Sequence, residues 1–426
     1  MSAPDLVLGI DIGTSGVRVV ALDPANRVVA SASTPMAAPT RTGANLRQHP
    51  EVWWRAVAVT LADLGGGLDL GRVAAVAVDG TSGTVLAVDR EGRPCGEASL
   101  YNDVARPETV ARVGAAAPAD SAARGSTSAL ARGLDMLAEH PHAHRLLHQA
   151  DWIAGRLANR FDTSDENNAL KSGYDPVARR WPDWIARLGL PPEKLPEVRP
   201  VGTAFGAVGG ADACGLAAGT RVVTGTTDGC AAFLATGASE PGDGVTSLGT
   251  TLVVKLLCDR PISAPQFGIY SHRIGDGWLA GGASNSGGAA LLAHFTADRM
   301  AALEPALRPD EPTGLDYYPL PAPGERFPIN DPAFAARLEP RPPSDATFFQ
   351  GLLEGIAGVE QLGYARLAEL GGPPLRAVRS VGGGARNAAW SRIRAARLGV
   401  PLVEPAHAEA ACGAARLARQ GLGAMA

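Results

Sequence analysis

The chain opens with an unbroken apolar run, Leu6-Val7-Leu8-Gly9-Ile10, then a polar turn, Asp11-Ile12-Gly13-Thr14-Ser15-Gly16, then a second apolar run, Val17-Arg18-Val19-Val20-Ala21-Leu22. Two short apolar runs around a glycine and hydroxyl turn predict a β-hairpin that opens a sheet. From Pro50 the spacing changes, and Trp53, Val57, Leu61 and Leu64 recur at three- to four-residue intervals. That pattern predicts a helix with proline in its first turn and with Trp53 and Trp54 packed in the core. A further apolar run over 73–78 predicts a buried strand. It delivers a carboxylate and small hydroxyl residues, Asp79-Gly80-Thr81-Ser82-Gly83-Thr84, to one end of the sheet, before apolar residues return over 85–88.

Residues 105–161 are rich in Ala, Arg and Leu and predict mainly helix, with His140, His142, His144 and His148 on a solvated helical face; Asp162-Thr163-Ser164-Asp165 ends the pattern. Gly215-Leu216-Ala217-Ala218-Gly219 marks a domain boundary, after which Arg221-Val222-Val223-Thr224-Gly225-Thr226-Thr227-Asp228-Gly229 repeats the opening logic of strand, Gly/Thr turn and Asp. The echo predicts a duplicated domain, with Asp11 and Asp228 facing each other across a cleft. The proline-dense stretch 305–343 carries Tyr317, Tyr318, Phe327, Ile329 and Phe334 at intervals, which predicts an ordered loop packed on the second domain. The remainder reads as helix (348–370), strand (378–381), glycine turn, helix (390–398), strand (400–403) and a final small-residue helix through 418. Alternating strands and helices make the class α/β.

Length supports two domains, because 426 residues exceed what one core of roughly 250–300 residues organises. With 46% apolar and 19% charged residues the chain lies far from disordered compositions. A net charge of −4 offers no basic footprint and excludes nucleic-acid binding as the main role. Lys171, Lys194 and Lys255 are the only lysines, and none follows a glycine, so a Walker A loop cannot be built. The cysteines, Cys95, Cys214, Cys230, Cys258 and Cys412, are widely spaced without C-x-x-C, which points away from disulfides and zinc and toward a reducing compartment. With no basic leader and no apolar run near the roughly 20 residues that span a bilayer, the expectation is a cytoplasmic protein without a membrane partner. Serine-hydrolase, zinc-peptidase and dinucleotide signatures are absent.

Phosphate can be held without a P-loop where backbone N–H groups of glycine-rich turns converge on it. Three such turns each follow an apolar strand: 13–16 with Thr14, 246–251 with Gly249, Thr250 and Thr251, and 382–387 with Gly383, Gly384 and Asn387. Leu8-Gly9-Ile10-Asp11-Ile12-Gly13-Thr14-Ser15, Gln48-His49-Pro50-Glu51-Val52-Trp53-Trp54, Tyr101-Asn102-Asp103, Gly225-Thr226-Thr227-Asp228-Gly229, Gly249-Thr250-Thr251, Gly324-Glu325-Arg326 with Asn330-Asp331-Pro332, and Gly382-Gly383-Gly384-Ala385-Arg386-Asn387 run in this order along the chain. The ordered series resembles the FGGY carbohydrate kinases over nearly the whole length.

The resemblance implies two actin-like ATPase (ribonuclease H-like) domains with a central cleft: an N-terminal domain over 1–219 on the sugar side and a C-terminal domain over 220–426 on the nucleotide side. It implies ATP and magnesium as cofactors. Asp228 matches the general base that takes the proton of the attacking sugar hydroxyl, and Asp11 matches the residue that orients magnesium through water and contacts the sugar. Thr14, Gly249, Thr250 and Thr251 would cradle phosphates, while Gly383, Gly384 and Asn387 would hold the adenosine; Trp390 would either join them or pack at a helix start. Ser82 and Asp103 are the expected sugar contacts. Xylulose kinases of the family usually carry Gln-Met-His-Gly where this chain has Asp79-Gly80-Thr81-Ser82-Gly83, a departure that speaks against xylulose; the run through Thr84, followed by Tyr101-Asn102-Asp103, is more similar to ribulose kinases and makes D-ribulose the expected substrate, with D-xylulose, another pentulose or a polyol as alternatives. The chain is also shorter than most members between Asp103 and Asp151 and after Leu292. A degenerate sugar-binding protein is the reading from another class, and retention of both Asp11 and Asp228 speaks against it.

Overall fold

A computed structural model describes residues 4–210 and 213–423. Two compact units divide the chain: residues through Ala235 together with those from Glu409 onward, and Thr236–Ala408.

The larger unit is built on a sheet whose strands lie in the order Ala204–Ala207, Arg221–Thr227, Val73–Gly80, Leu6–Ile12, Gly16–Leu22, Val28–Pro35. The last three form an antiparallel meander, and Leu6–Ile12, Val73–Gly80 and Arg221–Thr227 run parallel. Parallel strands are apolar on both faces because helices cover both. Leu8, Ile10 and Ile12 pack with Trp53, Val57 and Leu61 of helix Glu51–Gly65, while Val7, Ala75 and Ala77 pack with Ala411, Ala415 and Ala418 of helix Ala410–Gly423. That second helix approaches to backbone contact: a Cβ at Gly9 would stand 1.8 Å from the Ala411 carbonyl oxygen. Trp53 is fully buried, and its indole N–H donates to Gln48 Oε1 at 2.6 Å, so it packs as its helical spacing predicts.

The boundary expected at 219/220 falls instead after Ala235, because Arg221–Thr227 pairs with Val73–Gly80 and is a central strand of the first unit. The pairing shifts register between Val223 and Thr226, where a Cβ at Gly225 would lie 1.6 Å from the Val78 carbonyl oxygen, so only glycine passes there. Residues 105–161 contain helices Pro107–Ala116, Ala129–Glu139 and Gln149–Ala158, but Arg145–His148 between them is a strand, paired with Val85–Val88 in a smaller sheet. The solvated histidine face is therefore corrected in part: His148 is buried on that strand.

The second unit repeats the first. Hairpin Asp243–Leu248 and Leu252–Cys258 is extended antiparallel by Gly277–Ser284 on one side and parallel by Ala377–Val381 and Leu402–Val403 on the other. The order matches that of Leu6–Ile12, Gly16–Leu22, Val28–Pro35, Val73–Gly80 and Arg221–Thr227. The duplication is real, but the counterpart of the first strand is Asp243–Leu248 and not Arg221–Thr227. Residues 305–343 are mostly irregular yet bury Tyr317, Tyr318 and Phe327 against helix Asp345–Glu369. Beneath the sheet lies a fully buried ion pair, Arg394 Nε to Glu360 Oε2 at 2.6 Å, with a second bond from Arg394 Nη2 to Glu360 Oε1 at 2.7 Å.

Candidate active site

In the first unit three parallel strands end at one edge with acidic or hydroxyl residues in register. Asp11 lies opposite Asp79, and Asp79 opposite Thr226, two residues before Asp228 at the start of helix Asp228–Ala235. The carboxyl ends of adjacent parallel strands are where open α/β sheets place their ligands. Asp11 and Asp228, expected to face each other from different domains, are thus both in this unit, with Asp79 on the strand between theirs.

Asp79 is fully buried, and neither of its carboxyl oxygens receives a hydrogen bond from a donor group. Burial pushes its pKa well up, and the neighbouring Asp11 charge and then Asp228 raise it further. Asp11 is also pushed up by burial, while its hydrogen bond with Asp79 and the Arg18 charge pull back. Two carboxyl groups can share such a bond only if one carries a proton, and the more deeply buried Asp79 is the group that holds it. Asp228 is half-buried at the helix start, and its Oδ1 accepts from the Gly229 N–H at 2.7 Å.

The turn after Asp79 is fixed by its own hydroxyls. Thr81 donates to Gln149 Oε1 from both N–H, at 3.0 Å, and Oγ1, at 2.8 Å, and its Oγ1 lies 2.6 Å from Thr84 Oγ1. Buried Arg132 donates from Nη2 to the Gly83 carbonyl at 2.6 Å and from Nη1 to the Leu100 carbonyl at 2.7 Å. Burial lowers its pKa to about 10, which leaves it charged at neutral pH. Within this pinned turn Ser82 Oγ has no hydrogen-bond partner, so its donor and acceptor capacity is uncommitted.

Asp103, the other expected sugar contact, is placed differently. It is fully buried and accepts from Ser99 Oγ at 2.6 Å, Val104 N at 2.9 Å and Leu46 N at 3.0 Å, with Arg47 Nε at 2.8 Å. Its oxygens are consumed in holding the 99–104 loop, which corrects the contact role to an anchoring one. Sequence reasoning missed Arg132 and Gln149, whose roles depend on long-range contacts; Asp79 carried a readable signal, the last polar residue of a buried strand.

In the second unit the hairpin turn after Leu248 leaves the N–H groups of Thr250 and Thr251 without a main-chain acceptor among the described residues, while Gly249 N donates to Thr251 O at 3.2 Å. Successive unpaired N–H groups in a turn form an anion cradle. The first unit's turn closes one residue wider, Gly13 N to Gly16 O at 3.0 Å, and carries Thr14, which therefore sits in a different unit from the other expected phosphate residues.

Beside Thr250 opens a cavity of about 590 Å³, within the range of small-molecule sites. Its lining combines the glycine-turn residues Gly249, Gly383, Gly384 and Asn387 with apolar Leu291, Met300 and Phe349 and the carboxylate Glu304. Gly383 and Gly384 form the turn Gly383–Arg386, and Asn387 caps helix Ala388–Leu398 by accepting from Trp390 N at 2.8 Å. Trp390 is buried with its indole N–H donating to the Leu353 carbonyl at 3.0 Å, so it is a packed wall of the cavity.

Among the described residues no group of three or more His, Cys, Asp or Glu side chains is arranged to hold a metal ion. Magnesium needs only one or two carboxylates, completing its shell with water and phosphate oxygens. Half-buried Asp11, at the carboxyl end of its strand, supplies one such carboxylate.

Comparison with known proteins identifies the family. Residues 6–121 match the N-terminal domain, and residues 244–420 the C-terminal domain, of the FGGY family of carbohydrate kinases. A xylulose kinase from Streptomyces coelicolor is 29% identical over 430 residues, covering 95% of this chain and 86% of the relative. An autoinducer-2 kinase from Yersinia enterocolitica is 30% identical over 302 residues, covering 64% of this chain and 56% of the relative. Among solved structures, a xylulose kinase from Brucella ovis superposes with a TM-score of 0.87 at 24% identity, covering 99% of this chain and 91% of its own. Plasmodium falciparum glycerol kinase with ADP gives 0.85 at 15% identity, covering 100% and 91%.

Proposed function

Because the chain belongs to the FGGY family of carbohydrate kinases, and is thus a sugar phosphotransferase, we propose that it moves the terminal phosphoryl group of ATP to a primary hydroxyl of a small ketose. The observation that carries the reading is the in-register edge of Asp11, Asp79 and Thr226, next to Asp228. Asp228 accepts the proton of the ketose hydroxyl as that oxygen bonds to phosphorus, and the bond from phosphorus to the bridging oxygen breaks to release ADP. Asp11 would hold magnesium through water; the ion, when bound, neutralises phosphate charge. Thr250, Thr251 and Gly249 hold phosphates in the second unit, Thr14 is the phosphate residue of this reading in the first, and Gly383, Gly384 and Asn387 border the nucleoside.

Ser82 is the sugar contact of this reading, supported by its uncommitted hydroxyl. D-Ribulose remains favoured because Asp79-Gly80-Thr81-Ser82-Gly83-Thr84 followed by Tyr101-Asn102-Asp103 resembles the ribulose kinases of the family. D-Xylulose is the second reading, supported by the relatives that bear that name. A cytoplasmic location is supported by five cysteines of which none forms a disulfide. The described residues contain no helix long and apolar enough to cross a membrane.

The deciding experiment is a phosphorylation panel with ATP, magnesium and D-ribulose, D-xylulose, fructose, ribitol or glycerol, measuring ADP and the phosphorylated product. One pentulose should exceed the others in kcat/KM. A folded protein for which none of them raises ADP release above that in water would sink the kinase reading.

A further inference from the structure

The cavity of the second unit contains a pair of side chains whose hydrogen-bonding capacity is unevenly spent. Asn387 Oδ1 accepts from Trp390 N at 2.8 Å, and Asn387 Nδ2 donates to Glu304 Oε1 at 2.8 Å. The helix cap settles the orientation of the amide: its oxygen is held by the Trp390 N–H at the helix start, and its nitrogen is turned toward Glu304. Glu304 begins the turn Glu304–Ala306 after helix Ala297–Leu303 and lines the same cavity as Asn387. Its second oxygen, Oε2, accepts no hydrogen bond among the described residues. The pair therefore offers the cavity one remaining amide N–H and one carboxylate acceptor side by side, set among Leu291, Met300, Phe349 and Leu353.

Purines differ at the edge such a pair would meet. Adenine presents an acceptor, N7, beside a donor, the 6-amino group, whereas a 6-oxopurine presents two acceptors. An asparagine alone can satisfy adenine with its own N–H and oxygen, but here that oxygen is already bonded to the helix cap. We propose that Glu304 is a specificity-determining residue of the nucleotide site: it supplies the acceptor for the 6-amino group of adenine and rejects 6-oxopurines, whose O6 would face its carboxylate. This rests on the reading of the cavity as the nucleotide site. Discrimination of this kind works through an unpaired or repulsive polar contact against the wrong ligand and is typically about ten- to a hundred-fold.

Titration calorimetry of the full chain with ADP and with IDP, without sugar, tests the proposal. The unaltered protein should bind ADP at least about ten-fold more tightly than IDP. Glu304→Ala should bring that ratio below about three-fold, chiefly by weakening ADP, and Glu304→Gln, whose amide can turn an N–H toward O6, should strengthen IDP. Glu304 is exposed, so neither change empties a core position. Equal affinities in the unaltered protein, or an unchanged ratio in Glu304→Ala, would overturn the role of Glu304 while leaving the kinase reading standing. Failure of the unaltered protein to bind either nucleotide would overturn both.

Discussion

Asp11 and Asp79 lie in register on adjacent parallel strands, and neither oxygen of the fully buried Asp79 carboxyl accepts a hydrogen bond from an N–H or hydroxyl donor. Burial and the neighbouring Asp11 charge both push the Asp79 carboxyl toward its protonated form, in which it can donate to Asp11. Burial alone would penalise two charges here, and their mutual repulsion adds to it.

Asp79→Asn tests that arrangement, because an amide N–H can replace the donated bond at nearly the same size. The variant should fold with a Tm within a few degrees of the parent and keep phosphorylation within about five-fold, whereas Asp79→Ala, which removes the donor and leaves a void, should lose more of both. A loss of about a hundred-fold or more in a well-folded Asp79→Asn would mean that the carboxylate acts as a charge.

Asp228 and Asp11 are expected to fail in different ways. General-base catalysis contributes roughly 10²–10⁴-fold, so Asp228→Asn should lower kcat by about that factor with sugar affinity falling far less. Asp11→Asn should instead raise the magnesium concentration needed for half-maximal rate. Steady-state kinetics over a magnesium series separates the two, and near-normal turnover in folded Asp228→Asn would assign the proton to another group.

The difference between what the sequence disclosed and what it hid follows the range of the interactions. Local patterning announced the hairpin at 6–22, the helix at Trp53 and the glycine turns, because each is set by residues within one turn or strand. The boundary misplaced at 219/220 depended on strand pairing between Arg221–Thr227 and Val73–Gly80, over a hundred residues apart in sequence, which no local pattern encodes. Asp103 resembled a ligand contact by type and position, yet its five donors come from its own loop and from Asn45, Leu46 and Arg47. His148 was hidden by its Ala- and Leu-rich surroundings, where a four-residue strand between two helices leaves no periodicity to read.

Ser82→Ala should raise the KM for the accepted ketose several-fold with little change in that for ATP, since a neutral hydrogen bond contributes about 0.5–1.5 kcal/mol. Fold stability should hardly move, because Ser82 Oγ bonds to no protein group. An unchanged KM for every accepted sugar would return Ser82 to a purely structural place in its turn.

His148 gives the fold a dependence on pH with a definite sign. The residue is buried at the end of strand Arg145–His148, its Nε2 lies 2.9 Å from Ser172 Oγ, and its backbone N–H donates to Asp151 Oδ2 at 3.0 Å. Burial, with Arg132's charge adding to it, pushes its pKa down to about 3, whereas in the unfolded chain it stands near 6.5. Below pH 6.5 the unfolded chain takes up a proton that the folded chain refuses, so stability is full above that pH and is lost as pH falls toward 3, by about 1.4 kcal/mol per unit. Asp165 opposes this, since burial raises it to about 6 and its contribution is lost as pH rises toward that value. Comparing the parent with His148→Gln cancels the Asp165 contribution to first order and isolates the histidine. Between pH 6.5 and 5 the parent should lose about 2 kcal/mol more than the variant, read as a further fall of several degrees in Tm. Parallel Tm profiles over that range would show that His148 takes up its proton in the folded protein as readily as in the unfolded one.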